Sequence, residues 1–343
     1  MLVDRWTGSP LLSTPAEMER LLRSAPRVWL VADGHRLGTR YRAAFRRLLL
    51  EQFRLQAEYG GGVRVALAEG WRPQPDYTVT RELDVAVGPF TLVQVERTAV
   101  DPSAGDEWLQ MVLHWQMPER FPLNLNSSVK LVNSSGENIT QADGPPANGL
   151  IMTGERPRLP LPDFKVLHLP NSLAAGLYRL EVTLYEAATL KPMGQGVPFE
   201  WLRVGPPPPP PRVPVGAAWR NGLVLLGHGG LPERLVSGDV ISVTLMWSTR
   251  QPVLDDLTAS VQLIGPGGIL VAQDDRPPLR GFYPTSRWLP GETVLEETYT
   301  LSLPQSLPPG LYRLVVLWYD PATLRRVPVL AGGDALEVAR WTR

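Results

Sequence analysis

Four histidines, at positions 35, 114, 168 and 228, are the side chains with which this chain could transfer protons or ligate zinc. No two of them stand at a ligand spacing such as HExxH, so a zinc site has no framework here. His114 alternates with Leu113 and Trp115 in "VLHW", which suits a histidine on a strand face better than a base. "LGHGG" (Leu226 to Gly230) resembles an oxyanion-hole loop, but no GxSxG nucleophile elbow accompanies it and it reads as a turn. Neither GxxxxGK[ST] nor GxGxxG occurs, so a glycine loop cradling phosphate has no support. The chain has no cysteine, which excludes disulfides, thiolate metal sites and cysteine nucleophiles together and leaves the redox compartment open. The acidic pairs Asp255-Asp256 and Asp274-Asp275 read as turn residues. Calcium at the second pair would lack the regular acidic loop of an EF-hand. No catalytic residue, metal or cofactor is therefore expected.

The remaining candidates are aromatic and basic. In "FYPTSRWLPGE" (Phe282 to Glu292), Trp288 falls in a loop beside Tyr283 and Arg287, a set compatible with stacking on a sugar ring. The same set suits a loop folded back on its own sandwich, and that reading is favoured. Six arginines lie between Arg36 and Arg54. At helical spacing Arg36, Arg40 and Arg47 share a face, read as a solvated face before an anionic-surface contact. Residues 1–72 hold twelve arginines against seven acids, yet the whole chain is neutral. That asymmetry is too mild for nucleic acid. Sequons at Asn126, Asn133 and Asn138 are expected in exposed polar loops.

Three segments must carry these residues. Residues 1–72 follow an α-β-α-β order: a capping box around Thr14 and Glu17, a strand in "RVWLVAD", a helix over about 40–53 and a strand in "VRVALAE". This predicts a small, partial Rossmann-like α/β segment, the end of a larger sheet. From residue 76 the pattern becomes all-β, with "FTLVQVER", "WLQMVLHW", "SVKLVN" and "LYRLEVTLY" separated by turn signals. Proline and glycine (36 and 31 of 343 residues) suit short strands joined by many turns. "PPPPPP" (Pro206 to Pro211) then marks a polyproline II linker over 206–212. After it the β pattern restarts: "VTLMW" repeats "MVLHW", "VQLIGPGG" repeats "VKLVNSSG", and "GLYRL" occurs at 176 and at 310. The expected architecture is mainly β, with two tandem Ig-like (Greek-key) β-sandwiches over 76–205 and 213–343.

"AAGLYRLEVTLYEAATLKP" (174–192) and "PPGLYRLVVLWYDPATLRR" (308–326) agree at ten of nineteen positions. Alternation puts Tyr178, Leu180, Val182 and Leu184 on one face, and Tyr312, Leu314, Val316 and Trp318 on its twin. Gly176 and Gly310 provide the turn before each tyrosine, which resembles the tyrosine corner of Greek-key sandwiches and gives Tyr178 and Tyr312 a structural role. The opposite face differs: Glu181 and Thr183 become Val315 and Leu317, a possible interface that would lie against a neighbour.

"PRVWLVADGHRLGTRYRAAFRRLLLEQFRL" with "GGVRVALAEGW" resembles the end of the outward-facing soluble domain of family 39 glycosyltransferases, relatives of dolichyl-phosphate-mannose protein mannosyltransferases. "SGDVISVTLMW", "YPTSRWLPGE" and "LPPGLYRLVVLWYDPATLRR" resemble the sandwich repeats that follow in some bacterial members. The resemblance implies a C-terminal, extracytoplasmic piece of a bacterial membrane glycosyltransferase, or a separate product derived from one. The catalytic part of that family lies among transmembrane helices. No run here approaches the ~18 apolar residues of a span, and no signal peptide is visible at the start. The expected function is a non-catalytic structural or docking module. Its expected partners are the membrane-embedded glycosyltransferase portion or cell-envelope glycans. The alternatives are a carbohydrate-binding module and a cell-surface structural protein.

Overall fold

The computed structural model describes residues 12, 14–100, 107–118, 121–155, 160–171 and 173–343. Ser13 of the capping segment and the opening eleven residues lie outside them. The chain is mainly β and divides into two compact units, Met1–Gly205 and Pro206–Arg343.

The first unit begins with α1 (Pro15–Ser24), β1 (Val28–Asp33), α2 (Gly34–Thr39), α3 (Ala43–Gln52), β2 (Arg54–Tyr59) and β3 (Val63–Ala68). At the start of α1 the Thr14 hydroxyl accepts the Glu17 amide, and the Glu17 carboxylate accepts the Thr14 amide at 3.1 Å. This reciprocal pairing satisfies two amides that the helix leaves without partners. The helix expected over about 40–53 forms as α3, and a separate short helix, α2, precedes it across a break at 40–42. Arg36 therefore sits on α2 and Arg47 on α3, with Arg40 in the break, and the three do not form one face.

The sheet in this segment departs from the Rossmann-like expectation. Its order is β1-β3-β2, and β3 runs antiparallel to both neighbours, with Val28 opposite Ala68 and Tyr59 opposite Val63. The α2–α3 crossover makes β1 and β2 parallel to each other. The turn Gly60–Gly62, however, is too short for a second crossover, so β3 folds straight back and inserts between them. Gly61 and Gly62 take φ of 79° and 76°, a conformation that glycine adopts without strain. β2 is absent from the sequence reading because only Leu55 and Ala57 mark its half-buried phase.

The unit continues with β4 (Val79–Val87), β5 (Phe90–Arg97), β6 (Trp108–Gln116), β7 (Leu125–Asn133), β8 (Asn138–Gly144), β9 (Leu161–His168), β10 (Gly176–Glu186) and β11 (Val197–Val204). They form antiparallel sheets of order β4-β5-β6-β9 and β11-β10-β7-β8. The second unit holds β12 (Val213–Ala218), β13 (Leu223–Gly229), β14 (Val240–Thr249), β15 (Thr258–Ile264), β16 (Leu270–Arg276), β17 (Val294–Ser302), β18 (Leu311–Tyr319) and β19 (Leu336–Thr342). Its sheets, β12-β13-β14-β17 and β16-β15-β18-β19, repeat the first unit strand for strand.

Irregularities are repeated too. The register slips between Leu92 and Gln94 and between Leu225 and Gly227. It slips again between Leu180 and Glu181 and between Leu314 and Val315. Leu190 and Leu324, from the shared "ATL", both take φ of 59°. A bulge re-aims a strand locally, so keeping its place keeps the shape of the sandwich.

Buried side chains of both sheets meet in the first unit, where Leu92 and Trp115 join Leu131 and Leu180 in one core. Leu22, Leu49 and Phe53 of the α/β segment belong to that same core. The segment is thus not a domain by itself. A three-stranded sheet with three short helices buries too little apolar surface alone and takes the sandwich as its second layer. In the second unit an indole chain links the sheets: Trp219 to Trp247 at 5.7 Å, Trp247 to Trp318 at 4.9 Å, and Trp318 to Trp288 at 5.9 Å.

Candidate functional site

Two polar clamps, Arg64 and Asn148, fix the α/β segment against the first unit's sandwich, a third, Gln52, ties that segment's own end to α3, and a cleft lies beside them. Arg64, on β3, is fully buried. Its guanidinium donates to the Leu150 carbonyl and to both oxygens of Glu155. Gln52, at the end of α3, is also buried; its amide donates to the Arg72 carbonyl at 2.7 Å and its oxygen accepts the Arg72 amide at 3.0 Å. Asn148 donates to the Leu50 carbonyl at 2.8 Å, closing the last turn of α3. Asn148 and Ala147 take φ of 52° and 51°, in the left-handed region where asparagine is tolerated and alanine is strained.

On the outer side of β5 and β6, Glu96 gathers the Arg47 guanidinium and the His114 imidazole. Arg47 donates both terminal nitrogens to it, at 3.1 and 2.9 Å, and His114 Nε2 lies 2.7 Å from Oε1. Burial opposes the charge on Glu96, but these hydrogen bonds and charges outweigh it and hold the carboxyl below its usual range. Burial lowers the His114 pKa and overcomes the pull of Glu96. Nearby, burial raises Glu51, which accepts Gln74 at 2.7 Å and the Tyr77 hydroxyl at 3.4 Å.

The cleft opens next to these groups. A cavity of about 420 Å³ is lined by Arg54, Asp143, Asn148, Phe164 and Lys165, among others. A smaller one of about 110 Å³ shares Arg54, Asn148, Phe164 and Lys165 and continues to Glu51, Arg72 and Tyr77. Arg72 is pushed down by burial and then by the charge of Arg54, so two guanidinium groups face the same space. Lys165 is buried, with its amine 2.6 Å from Asp163 and donating to the Gly144 carbonyl at 3.0 Å. That pairing holds it as a wall rather than a nucleophile. The arrangement offers guanidinium and amide donors beside the Phe164 and Tyr77 rings, which is binding chemistry.

The residues singled out in the sequence sit elsewhere. Trp288 is 1% and Tyr283 6% exposed, so neither ring is available for stacking on a sugar. The Trp288 indole donates to the Tyr283 carbonyl at 3.1 Å, and the Tyr283 hydroxyl pairs with Thr293 at 2.9 Å. The loop folds back because its apolar rings complete the indole chain of the core; of the three candidates Arg287 remains exposed. The Tyr178 hydroxyl donates to the Ala174 carbonyl at 2.9 Å, and the Tyr312 hydroxyl to the Pro308 carbonyl at 2.6 Å. Gly176 and Gly310 stand two residues before them, Gly310 at φ 143°. Leu317 is 2% exposed and Val315 half-buried within the chain itself, so Leu317 is not open to an added neighbour.

Three further expectations change. "LGHGG" belongs mostly to strand β13 and not to a turn. Asp274 and Asp275 lie on strand β16, where Asp274 pairs with Arg276 and Asp275 accepts Ser260. Asn126, Asn133 and Asn138 fall on β7 and β8 rather than in loops. Among the described residues no cluster of His, Cys, Asp or Glu could hold a metal ion, and no helix is long and apolar enough to cross a membrane. Tyr77 and Phe164 are missing from the sequence reading, and Arg54 enters it only as one of six arginines. Of the two missing residues, Phe164 leaves a trace there, as an aromatic in the outward phase of "LPDFKVLH".

No protein-family model matches the sequence, and no curated protein matches it. Among solved structures, a β-glucuronidase of Bacteroides uniformis is similar at 12% identity and a TM-score of 0.23, over 65% of this chain and 25% of that one. A β-glucuronidase from glycoside hydrolase family 2 is similar at 11% identity and a TM-score of 0.22, over 67% and 23%. Red sea bream transglutaminase is similar at 9% identity and a TM-score of 0.20, over 69% and 30%. The chain spans about a quarter of the length of these structures, and overlays this poor carry no argument about function.

Proposed function

We propose that this chain is a non-catalytic, extracytoplasmic docking module of the kind that accompanies the membrane-embedded part of family 39 glycosyltransferases. In this reading its two sandwiches are Ig-like scaffolds. Strand order supports the Ig-like reading: β5-β6-β9 opposite β8-β7-β10-β11 matches an A-B-E sheet facing C′-C-F-G. Tyr178, near the start of β10, then stands where the tyrosine corner of strand F belongs.

The observation that carries docking is one bare face of the β1-β3-β2 sheet. Its other face, with Ala66, Ala68 and Arg64, is buried. On the bare face Trp29 is 59%, Val31 68% and Tyr59 60% exposed, and the partner residues of the two β1 positions are Leu67 and Val65. A contiguous exposed apolar face of this kind marks an interaction site. Photo-crosslinking from a benzophenone amino acid at Tyr59, in native envelope membranes, tests this. Adducts with a polytopic glycosyltransferase are expected. Adducts no more frequent than from exposed Ser242 would overturn the reading.

The carbohydrate reading moves from the Trp288 loop to the cleft, where Phe164, Tyr77, Arg54 and Asn148 are brought together. Glycan-array binding that falls with Phe164→Ala supports it; array signal unchanged by Phe164→Ala removes it.

A further inference from the structure

The sheet that supports docking also has an open edge, and the sequence of that edge is complementary to itself. β1 pairs with β3 on one side only, and no described strand lies on the other. An unpaired edge presents a row of backbone donors and acceptors that another strand can complete, and soluble proteins usually blunt it with proline, a bulge or an outward lysine. β1 has none of these: it is six residues, Val28–Asp33, paired to β3 without a register slip and carrying exposed Trp29 and Val31.

Building on the docking reading, we infer that β1 pairs with β1 of a second copy of this chain, antiparallel and centred on Leu30. Consider what a twofold axis perpendicular to the sheet requires. Each residue must then face a partner of the same phase, so that helices stay on one side of the joined sheet and the bare face stays on the other. Centring on Leu30 sets Trp29 opposite Val31 of the second copy, twice. It sets Val28 opposite Ala32, and it sets Arg27 opposite Asp33, twice. Arg27 is exposed, directly before the strand, and the Asp33 side chain is 42% exposed. Aromatic–β-branched pairs and opposite charges across strands are the favourable cross-strand combinations.

The two neighbouring registers of the same phase both leave Arg27 with no acid: centring on Val31 sets Trp29 opposite Asp33, and centring on Trp29 sets Arg27 opposite Val31. Shifting by one residue instead turns the bare face of one copy to the helical side of the other. Charge and phase therefore select the Leu30-centred register. Asp33 keeps its local role, with Oδ1 accepting the Arg36 amide at 3.2 Å and Oδ2 3.6 Å from the exposed Arg36 guanidinium, so Arg27 of the second copy would join an existing pair. The joined sheet has six strands, and the bare face runs across the twofold axis, doubling the area offered for docking.

The test is sedimentation velocity or light scattering on the full chain, with circular dichroism and thermal melting to show that each variant is folded. The wild-type chain should be a dimer. Val31→Lys, which places a charge on the exposed phase, should weaken it by roughly tenfold or more. Arg27→Asp alone and Asp33→Arg alone should each be monomeric, since each sets like charges opposite one another at both pairs. Mixed together, those two folded variants should form a heterodimer, because every facing pair is again opposite in sign. A wild-type chain that stays monomeric to roughly 100 µM would overturn the inference. So would a dimer that Val31→Lys and Arg27→Asp leave intact, or charge variants that fail to associate on mixing. A monomeric chain that still crosslinks from Tyr59 would sink the dimer while leaving docking in place.

Discussion

Asp163 and Glu297 occupy the same position in the two sandwiches, and both are buried carboxylates. Each lies two residues beyond the leucine that faces the core tryptophan, Leu161 opposite Trp115 and Leu295 opposite Trp247. Their partners differ. Asp163 accepts the Trp115 indole at 3.1 Å and the Ser127 hydroxyl, with Lys165 at 2.6 Å. Glu297 takes Arg276 at 3.1 Å and the Tyr299 hydroxyl at 3.1 Å. A buried charge persists only where paired and hydrogen-bonded, and each copy meets that demand with its own donors.

This difference separates two otherwise similar substitutions. Trp115→Phe removes a donor from Asp163, whereas the Trp247 indole nitrogen has no partner among the described residues. Trp115→Phe should destabilise the first unit by about 1–2 kcal/mol more than Trp247→Phe destabilises the second. Chemical denaturation of the two variants measures it.

Thr153 and Thr285 repeat one staple. Each hydroxyl accepts an amide, from Leu125 at 2.8 Å and Leu257 at 2.9 Å, and donates to a carbonyl, of Leu123 and Asp255. Replacing either with valine leaves a buried amide without an acceptor, so a loss of about 1–3 kcal/mol is expected for each. Alanine at neighbouring Ser286, whose side chain takes no part in the staple, should leave stability nearly unchanged by the same denaturation measurement.

The two tyrosine hydroxyls give a smaller effect. Tyr178→Phe and Tyr312→Phe should each lower stability by about 1 kcal/mol, and the double variant by their sum, since distant sites add. Melting temperatures identical to wild type would mean that these hydrogen bonds contribute nothing.

Arg64 carries the junction between the α/β segment and the sandwich. Arg64→Ala strands the Leu150 carbonyl, leaves Glu155 only the Met152 amide and solvent, and opens a void, at an expected loss of about 3 kcal/mol. Hydrogen exchange should speed up in β1–β3 and stay unchanged in β12–β19.

His114 gives the first unit a pH dependence. Its folded pKa lies below the unassisted value of 6.5, so the folded state binds this proton less well than the unfolded chain does. Its contribution to stability is present above pH 6.5 and is lost as pH falls through the folded pKa. Thermal melts between pH 8 and pH 5 should therefore show a decline that His114→Gln reduces.

Much of the architecture is legible in the chain because it rests on local rules. Alternation in "GLYRLVVLWY" places Tyr312, Leu314, Val316 and Trp318 in the core, and all four are buried. The capping box at Thr14 follows from neighbours three residues apart. Recurrence of the same words at nearly one offset points to duplication, and strand order agrees in both copies. What neighbours in sequence cannot decide is direction and cover. β3 turns back antiparallel because of how a short glycine turn meets a crossover that began thirty residues earlier. Trp288 disappears into the core because Trp318, distant along the chain, offers it a face. The cleft joins Arg54, Phe164 and Lys165 across more than a hundred residues. The sequence by itself determined which faces are apolar, since that depends on spacing along one strand. Only the tertiary structure decided which of those faces are covered, because burial depends on the layer that arrives from elsewhere in the chain.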